Sequence, residues 1–457
     1  MVFKTRKIAI IGSGPAGSYA SFSLREQFPD SNITIYERNS VVGGRVHSIP
    51  ILDPTAPADS PPIIVESGAS IFLKTNKHLH DACIKYKLEF TTQDDIDDGL
   101  VVWNGNEILY TMKSNWDYVK GVWRWGTSPL RTYRAANEAA SKWYKTYDKN
   151  DVGFETWQEF LDHYSLLDYM SVSAREFLAK NWGVSEKFID EVVEPITRVN
   201  YAQNSDMNSL GALVVLTALF GDVQQVKGGN SQIMAKWIEE SKATVKLNTR
   251  VTGVRRLAPG GADGVVVETL RGKPEVFDIV IIACPGGQSN IDLGPNIPTL
   301  PMIPYVKLYV TFVTGQVDPT AFGLPPTSKA PSTILTSNNA TLPFLSISIV
   351  AYCHDKNTTI TKIFSRTYMT ATELQKYYKE IKAVTRREWW SYPELPPTSS
   401  GAFGDSVEVA RNVFYVNGFE GAFSTMESET VAALNIIKII KGRAGESGRK
   451  RRVVAKL

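Results

Sequence analysis

Cysteine is scarce in this sequence. The 457 residues include three, Cys83, Cys284 and Cys353, and no two of them have C-x-x-C spacing. A sparse, odd set of cysteines argues against a disulfide framework and against a zinc site. Histidine is also rare, with five residues, and only His78 and His80 lie close together. Residues two positions apart point to different sides of a helix. The sequence therefore predicts no metal site.

Excess charge of one sign and long apolar runs are also missing. Lysine and arginine total 50 against 47 acidic residues, a net charge of +3, and several basic residues crowd the carboxyl end. A nearly neutral body is not that of a protein that binds nucleic acid or acidic membranes. The apolar run at 8–12 is too short for a signal peptide, and the run at 210–220 is too short for a membrane span. We expect an intracellular protein without a transmembrane segment.

The length predicts two connected domains, because a single core rarely organises 457 residues. Residues 7–37 have the pattern strand, glycine-rich turn, helix (14–27) and parallel strand. Alternating or β-branched stretches at 305–314, 332–335 and 345–352 predict a second, antiparallel sheet. The predicted fold class is α/β: a Rossmann-type dinucleotide-binding domain with an interleaved substrate domain of antiparallel sheet plus helical cap.

These patterns divide the chain into six segments. We assign 1–93 to the first part of the dinucleotide-binding domain, 94–222 to an aromatic-rich helical cap, 223–300 to the second part of the binding domain, 301–400 to the antiparallel substrate sheet, 401–441 to the last strand and helix of the binding domain, and 442–457 to a mobile basic tail. Within the fifth segment, a strand is expected at 412–418 and a long helix at 424–441.

The segment Gly12-Ser13-Gly14-Pro15-Ala16-Gly17 lies between an apolar strand and a helix, which is the context that a dinucleotide-binding turn requires. Gly12 permits the tight turn, and Gly14 lets backbone amides approach a pyrophosphate. Gly17 lets the helix pack on the strand. The amino terminus of the helix, with Ala16, stabilises the phosphate charge.

An acidic residue and a second glycine pair follow this turn. Glu37 stands twenty positions past Gly17 at the end of the second strand, where a carboxylate accepts a hydrogen bond from a ribose hydroxyl and disfavours NADP. Arg38 beside it is assigned to the same site. The motif alone leaves NAD open, but Gly43-Gly44-Arg45 resembles FAD enzymes of the amine-oxidase-like group. In that group the pair extends along the pyrophosphate and ribityl chain, and Arg45 would neutralise phosphate.

Two later segments are assigned to the same cofactor by this resemblance. The segment 248–251 is expected to end a strand where such enzymes offer the backbone of Val251 to adenine. Gly418 and Met426, at the junction between the last strand and the long helix, are expected to hold the pyrimidine end of the flavin or the ribityl chain. The predicted cofactor is FAD, bound without a covalent link.

The chain also resembles the prenylcysteine oxidase (prenylcysteine lyase) family over nearly its whole length. The most specific stretches are 194–204 (EPITRVNYAQN), 226–230 (VKGGN), 390–393 (WSYP), 414–420 (FYVNGFE) and 424–427 (STME). This resemblance implies an FAD-dependent oxidase that acts on the thioether of farnesyl- or geranylgeranyl-cysteine with O2, giving the prenyl aldehyde, cysteine and hydrogen peroxide. Such chemistry needs few titratable groups, and we assign no catalytic residue.

One position departs from the family. Several relatives carry a histidine shortly after the Gly68-Ala69-Ser70 segment, where this chain has Leu73. A second hypothesis is therefore an intracellular oxidase of the same family that acts on a polyketide, terpenoid or other small hydrophobic molecule. A third, weaker hypothesis is a flavin-binding protein without enzymatic activity.

The chain ends in Ala455-Lys456-Leu457, which is similar to the Ser-Lys-Leu signal that the peroxisomal import receptor recognises. The basic run 449–452 upstream suits such a signal, although it also matches a nuclear-type basic cluster. We expect a peroxisomal location, with the cytoplasm as the alternative.

Overall fold

The structure is a computed structural model of the chain. It describes residues 6–91, 99–113, 115–148, 152–257, 264–339, 341–399 and 401–454, with the backbone alone at 115, 116, 118 and 445–454. Two large sheets organise these residues, and each belongs to one of the two predicted domains.

The first sheet is parallel except at one edge, with β1 near its centre. Its order is β19 (Glu408–Ala410), β20 (Val413–Tyr415), β13 (Ile279–Ile282), β1 (Lys7–Ile11), β2 (Asn32–Tyr36) and β9 (Thr244–Lys246). β1 pairs in parallel with β2 and with β13, and β19 pairs antiparallel with β20. Strands from the beginning, middle and end of the chain thus share one sheet, which confirms the predicted Rossmann-type arrangement.

Both faces of β1 are buried because each packs against a different layer. Ile8 and Ile10 pack against the helices, whereas Ala9 and Ile11 pack against a small antiparallel sheet. The helices are α1 (Pro15–Gln27), α2 (Lys77–Tyr86), α10 (Ser231–Ser241) and α13 (Met426–Val454), and the small sheet comprises β10 (Val251–Arg256), β11 (Val265–Thr269) and β12 (Glu275–Phe277). The nearly continuous apolar sequence of β1 is typical of such a doubly covered strand.

The second sheet is antiparallel except where β15 meets β6. Its order is β18 (Tyr378–Pro393), β14 (Tyr305–Val317), β17 (Thr359–Ser365), β16 (Ser346–Tyr352), β15 (Thr333–Thr336), β6 (Leu100–Trp103) and β7 (Ile108–Met112). The strands predicted at 305–314, 332–335 and 345–352 are confirmed as β14, β15 and β16.

Two further strand pairs lie outside the two large sheets. β3 (His47–Ile51) pairs with β4 (Ile63–Gly68), and β5 (Phe72–Leu73) pairs with β8 (Val223–Gln224). The first pair follows directly on the second glycine pair, and it packs on the apolar face of the second sheet through Ile51 and Val65.

The helical cap lies between residues 115 and 219. It contains α3 (Asn115–Trp125), α4 (Ser128–Trp143), α5 (Trp157–His163), α6 (Ala174–Glu176), α7 (Glu186–Phe188), α8 (Glu194–Tyr201) and α9 (Ser209–Leu216), while two further short helices, α11 (Gly286–Ser289) and α12 (Ala371–Leu374), lie outside it. Thr156 and Glu159 form a capping box that fixes the start of α5. Buried alanines on α4, such as Ala135 and Ala139, let α4 and α9 pack together.

Several predicted boundaries were wrong. Strands β6 and β7 lie within the segment predicted as helical cap, because they extend the second sheet. The last strand is only Val413–Tyr415, since a 3₁₀ turn at Asn417–Gly421 follows it. The last helix does not end at Lys441 but continues to Val454. The tripeptide 455–457 lies outside the described residues.

The described part of the chain has no helix that is both long enough and apolar enough to cross a bilayer. Its histidine, cysteine and acidic side chains also form no cluster of three or more that would hold a metal ion.

Candidate functional site

The glycine-rich turn lies where β1 and β13 end side by side, at the switch point of the first sheet. Gly12 has a φ of 108°, and a Cβ atom there would lie 2.4 Å from the carbonyl oxygen of Ala283. A Cβ atom at Gly17 would lie 2.0 Å from the carbonyl oxygen of Gly12. The fold itself therefore requires both glycines.

Gly14 is different, because the protein leaves room beside it. Its backbone is extended, with φ −70° and ψ −172°, and the atom nearest to an added Cβ is 3.8 Å away. Gly14 is also the N-cap residue of α1, and no side chain caps this helix. A glycine that the fold does not need, in front of uncapped helix amides, fits an anionic ligand that approaches the backbone closely.

Glu37 is buried and fixed beside this turn. Its carboxylate accepts hydrogen bonds from Ser13 Oγ (2.6 Å), from the Ser13 amide (3.1 Å) and from the Asn39 amide (2.8 Å). The neighbouring Arg38 lies at the edge of the same crevice, where its guanidinium is 3.5 Å from the carbonyl oxygen of Gln288. The Gln288 side-chain nitrogen is buried and has no hydrogen-bond partner among the described residues, so polar groups line this end of the crevice.

Val251 does not end a strand, as the sequence predicted, but begins β10. The amide of Thr249, just before it, donates to the carbonyl oxygen of Glu37 at 2.8 Å. This bond brings Val251 close to Glu37, although the two residues are far apart in sequence.

The second glycine pair meets the first turn. Gly43 and Gly44 both have positive φ, 117° and 60°. A Cβ atom on Gly44 would lie 3.1 Å from the Cα atom of Gly14. The two glycine motifs, separated by about thirty residues of sequence, thus form one continuous backbone surface.

Arg45 forms an ion pair with Glu420, a contact that the sequence analysis did not predict. Glu420 is fully buried and also accepts a hydrogen bond from the Tyr305 hydroxyl, whose ring lies 5.6 Å from the Arg45 guanidinium. Arg45 also donates to the carbonyl oxygen of Ser391 at 3.2 Å. Glu420 belongs to the stretch 414–420 on which the family resemblance partly depends, and this was the only sequence signal for it.

The start of α13 closes the other end of the site. Gly418 packs against Trp157, because an added Cβ would lie 2.9 Å from the indole nitrogen. Met426 is buried at the first position of α13. Nearby, Asn417 Oδ1 and Glu429 Oε1 are buried and accept no hydrogen bond from the part of the chain that the structure describes. Burial raises the pKa of Glu429. Such orphaned polar atoms fit a polar ligand at this end.

An apolar cavity of about 120 Å³ adjoins Met426. Its walls come from α4 and α9 of the cap, from the segment 71–76 and from the start of α13. Leu73 lines this cavity.

The predicted site residues thus lie in two groups, one around the switch-point crevice and one at the start of α13. The structure brings together the two glycine motifs, Glu37, Arg38, Arg45 and Val251 around the switch point, and it places Gly418 and Met426 at the start of α13, with Arg45 joined to that region through Glu420. The geometry is that of an FAD-dependent oxidoreductase.

Comparisons with known proteins agree with an FAD-dependent oxidoreductase. A model of the prenylcysteine lyase family matches residues 110–450, and a model of an NAD(P)-binding Rossmann-like domain matches residues 10–84. Prenylcysteine oxidase 1 of Homo sapiens is 27% identical over 94% of this chain and 87% of its own length. Farnesylcysteine lyase of Arabidopsis thaliana is 25% identical over 95% and 88%. Cyclohexylamine oxidase from Brevibacterium oxydans has the same fold, with a TM-score of 0.63, 15% identity and coverage of 98% and 100%. This chain belongs to the prenylcysteine lyase family.

Proposed function

We propose that this protein is an oxidase that binds FAD non-covalently and cleaves the thioether of a prenylcysteine. The observation that carries the proposal is the apolar cavity between the cap and Met426, because a hydrophobic ligand can bind there beside the start of α13. Relatives named prenylcysteine oxidase and farnesylcysteine lyase support the same substrate class.

The residues of the crevice fit the parts of FAD. The α1 amides beyond Gly14 would stabilise the pyrophosphate, and Glu37 would accept a hydrogen bond from the ribose of the adenosine. Arg45 would neutralise phosphate, and Glu420 holds its side chain in place. When bound, FAD supplies the hydride acceptor and returns the electrons to O2 as hydrogen peroxide.

The chain itself would bind and orient the substrate. The cap helices and Leu73 would bury part of the prenyl tail, which would exclude water from the carbon next to sulfur and hold that carbon at one place. The overall reaction consumes one thioether, one O2 and one water, and it yields one aldehyde, one cysteine thiol and one hydrogen peroxide. No proton-transferring side chain is assigned to this reaction.

Anaerobic mixing of the flavin-loaded protein with S-farnesylcysteine tests the proposal. We expect loss of the oxidised-flavin absorbance, followed by its return and by peroxide formation when O2 is admitted, without NADPH. Flavin that stays oxidised with both farnesyl- and geranylgeranyl-cysteine would refute the prenylcysteine assignment. A protein that is isolated without FAD and cannot be reconstituted would refute the cofactor assignment as well.

Leu73 favours a second candidate function. Leu73 lines the cavity, where the family resemblance implies a nearby histidine in several relatives. In this alternative, the natural substrate is another small hydrophobic molecule that loses hydride in the same way. Reduction of the flavin by a terpenoid or polyketide substrate, but not by prenylcysteine, would distinguish this candidate from the first.

We also propose that Ala455-Lys456-Leu457 directs the chain to peroxisomes by binding the import receptor. A peroxide-producing oxidase suits a compartment that contains catalase. The cytoplasm is the alternative location.

A further inference from the structure

Lys362 is a buried cation without a carboxylate partner. It lies on β17, where its ammonium donates to Ser70 Oγ at 2.7 Å and to the carbonyl oxygen of Glu66 at 3.3 Å. Among the described residues, no acidic oxygen lies within 4.0 Å of it. Burial lowers the pKa of Lys362 to about 8, although the nearby Glu66 carboxylate opposes this shift. A buried charge without an ion pair is unfavourable unless something else neutralises it.

Arg387, on β18, is a second, half-buried cation. Its guanidinium donates to Ser67 Oγ and lies 4.6 Å from the centre of the Trp389 ring. Here too the described residues provide no carboxylate within 4.0 Å. Burial lowers the pKa of Arg387, and burial together with the Arg387 charge lowers the pKa of His47, which lies 3.4 Å from the same serine oxygen.

The two cations project from the same face of the second sheet. Arg387 pairs with Val310, and Lys362 pairs with Phe312, two residues further along β14. Because paired residues share a face and alternate residues along a strand do so too, both side chains point toward the β3–β4 pair. There they contact Ser67 and Ser70, which flank Gly68 and Ala69.

The charges around this segment do not balance. Glu66 is the buried acid beside it, and its Oε1 already accepts a hydrogen bond from the Asn230 amide at 2.6 Å. Burial also raises the pKa of Glu66, which reduces its negative charge. Within the described part of the chain, Lys362 and Arg387 face at most one acid, so the cluster there is short of at least one negative charge.

The cluster lies next to the proposed substrate cavity. Ser70 bonds to Lys362, and the next residue, Ile71, lines the cavity with Leu73 and Met426. Gly68 connects the cluster to the cofactor site, because an added Cβ there would lie 3.3 Å from the carbonyl oxygen of Arg45. The apolar cavity and the positive cluster of Lys362 and Arg387 therefore both contact one short segment, 67–73.

We propose that Lys362 and Arg387 bind the carboxylate of the substrate while its apolar tail fills the cavity. The enzyme then selects amphiphiles with a free carboxylate, such as an S-alkylated cysteine, over the corresponding esters. This inference rests on the proposed function, because it names what recognises the polar end of that substrate. Both residues are positioning residues, and neither takes part in hydride transfer.

Binding of unreactive ligands to the flavin-loaded protein tests the inference. S-dodecylcysteine is a saturated thioether without an allylic carbon, and its methyl ester differs from it only in the carboxylate. Dissociation constants are measured from the perturbation of flavin absorbance without O2. We expect the wild type to prefer the acid over the ester by about 10- to 100-fold, the usual contribution of hydrogen bonds to a charged group.

The variants assign this preference to the two residues. In Lys362→Met and Arg387→Met we expect most of the preference to disappear, while the dissociation constant of the ester stays within about twofold of the wild-type value. Lys362→Arg and Arg387→Lys retain the charge and are expected to retain a preference of at least about tenfold. Arg386→Met is the matched control, because Arg386 is the next residue on β18, is exposed on the opposite face and donates to the carbonyl oxygen of Met369 at 3.1 Å.

Three results would overturn the inference: equal affinity of the wild type for acid and ester, an unchanged preference in both methionine variants, or no binding of either ligand. The comparison of acid and ester in the wild type stands even when a methionine variant does not fold. Failure of S-farnesylcysteine to reduce the flavin would refute the proposed substrate separately, since this test requires no turnover.

Discussion

Replacing Gly14 by aspartate separates what the fold needs from what the cofactor needs. Gly14 has an extended backbone that any residue adopts, and an added Cβ would meet nothing closer than 3.8 Å. It is also the N-cap of α1, a position at which aspartate is favoured. We therefore expect the cofactor-free Gly14→Asp protein to be as stable as the wild type, or more stable by up to about 1 kcal/mol.

The same change should strongly weaken FAD binding. A carboxylate at this position would face the pyrophosphate across the turn, and two unit charges about 4 Å apart repel by about 4 kcal/mol at an effective dielectric constant of about 20. That repulsion corresponds to about a thousandfold increase in the dissociation constant of FAD. Screening by salt reduces the effect, so we expect an increase of at least about 100-fold at physiological ionic strength.

The assay combines urea unfolding of the cofactor-free proteins, followed by tryptophan fluorescence, with FAD titration. Gly17→Ala is the contrasting variant, because its Cβ would lie 2.0 Å from the carbonyl oxygen of Gly12 and should destabilise the protein by about 3 kcal/mol or more even without FAD. FAD affinity that is unchanged in Gly14→Asp would refute the proposed pyrophosphate site. A loss of more than about 2 kcal/mol in cofactor-free Gly14→Asp would refute the argument that the fold does not need this glycine.

Three further predictions concern other parts of the molecule. Burial raises the pKa of Glu427 from 4.5 to about 7, so the folded protein holds an extra proton between these pH values. Urea unfolding should therefore show that the free energy of unfolding falls by up to about 3 kcal/mol as the pH rises through this window. Glu427→Gln should lack this pH dependence, and its persistence in the variant would contradict the assignment. Leu73→Asp places a charge in the apolar cavity and should raise KM for S-farnesylcysteine about tenfold with little change in kcat. Leu52→Asp, at a position that is 74% exposed, should change neither constant. Equal effects of the two substitutions would argue against a substrate cavity at Leu73. Removal of Ala455–Leu457 from an amino-terminally fluorescent fusion should shift it from peroxisomes to a diffuse cytoplasmic distribution, and a full-length fusion that is already diffuse would refute the signal.

The cofactor-binding half was the more predictable part because its signals are local. The turn at 12–17, Glu37 and the glycine pair at 43–44 each have a fixed relation to a neighbouring strand or helix. The positions of Arg45 and Val251 followed from resemblance, although Val251 begins a strand where the end of one was predicted. A backbone hydrogen bond from Thr249 to Glu37 brings Val251 close to Glu37, and no spacing in the sequence predicts this bond.

The missed strands have a different physical reason. β18 lies at the edge of the second sheet and is largely polar, since its sequence includes KEIKAVTRRE, so it lacks the apolar alternation of a half-buried strand. β6 and β7 are short and directly precede aromatic-rich helices in the sequence, so the whole region was predicted as the helical cap. The end of the last helix was misplaced because glycines at 442 and 445 normally weaken a helix, yet the helix continues through both.

The contacts that matter most for the candidate site join residues far apart in sequence. Arg45 meets Glu420 across 375 positions, and Arg387 meets Ser67 across 320. Neither partner can be chosen from composition or spacing, because each of these charged residues has many possible partners before the sheets assemble. Cations such as Lys362 and Arg387, which have no acidic partner among the described residues, can be recognised only when burial and the positions of nearby acids are known together.

The first sheet also constrains how the protein is made. β1 leaves the ribosome first, but its sheet gains β20 only after residue 415, and α1 packs against α13, which is the last helix of the chain. Pairing of such distant segments is slow and leaves apolar strand edges exposed in the meantime. A nascent chain that stops between residues 45 and 420 has every glycine of both cofactor motifs but lacks Glu420, the partner of Arg45. Premature termination should therefore yield a chain that needs chaperones rather than a smaller, working flavoprotein, and expression of fragments that end near residue 400 should show this as insoluble, colourless protein.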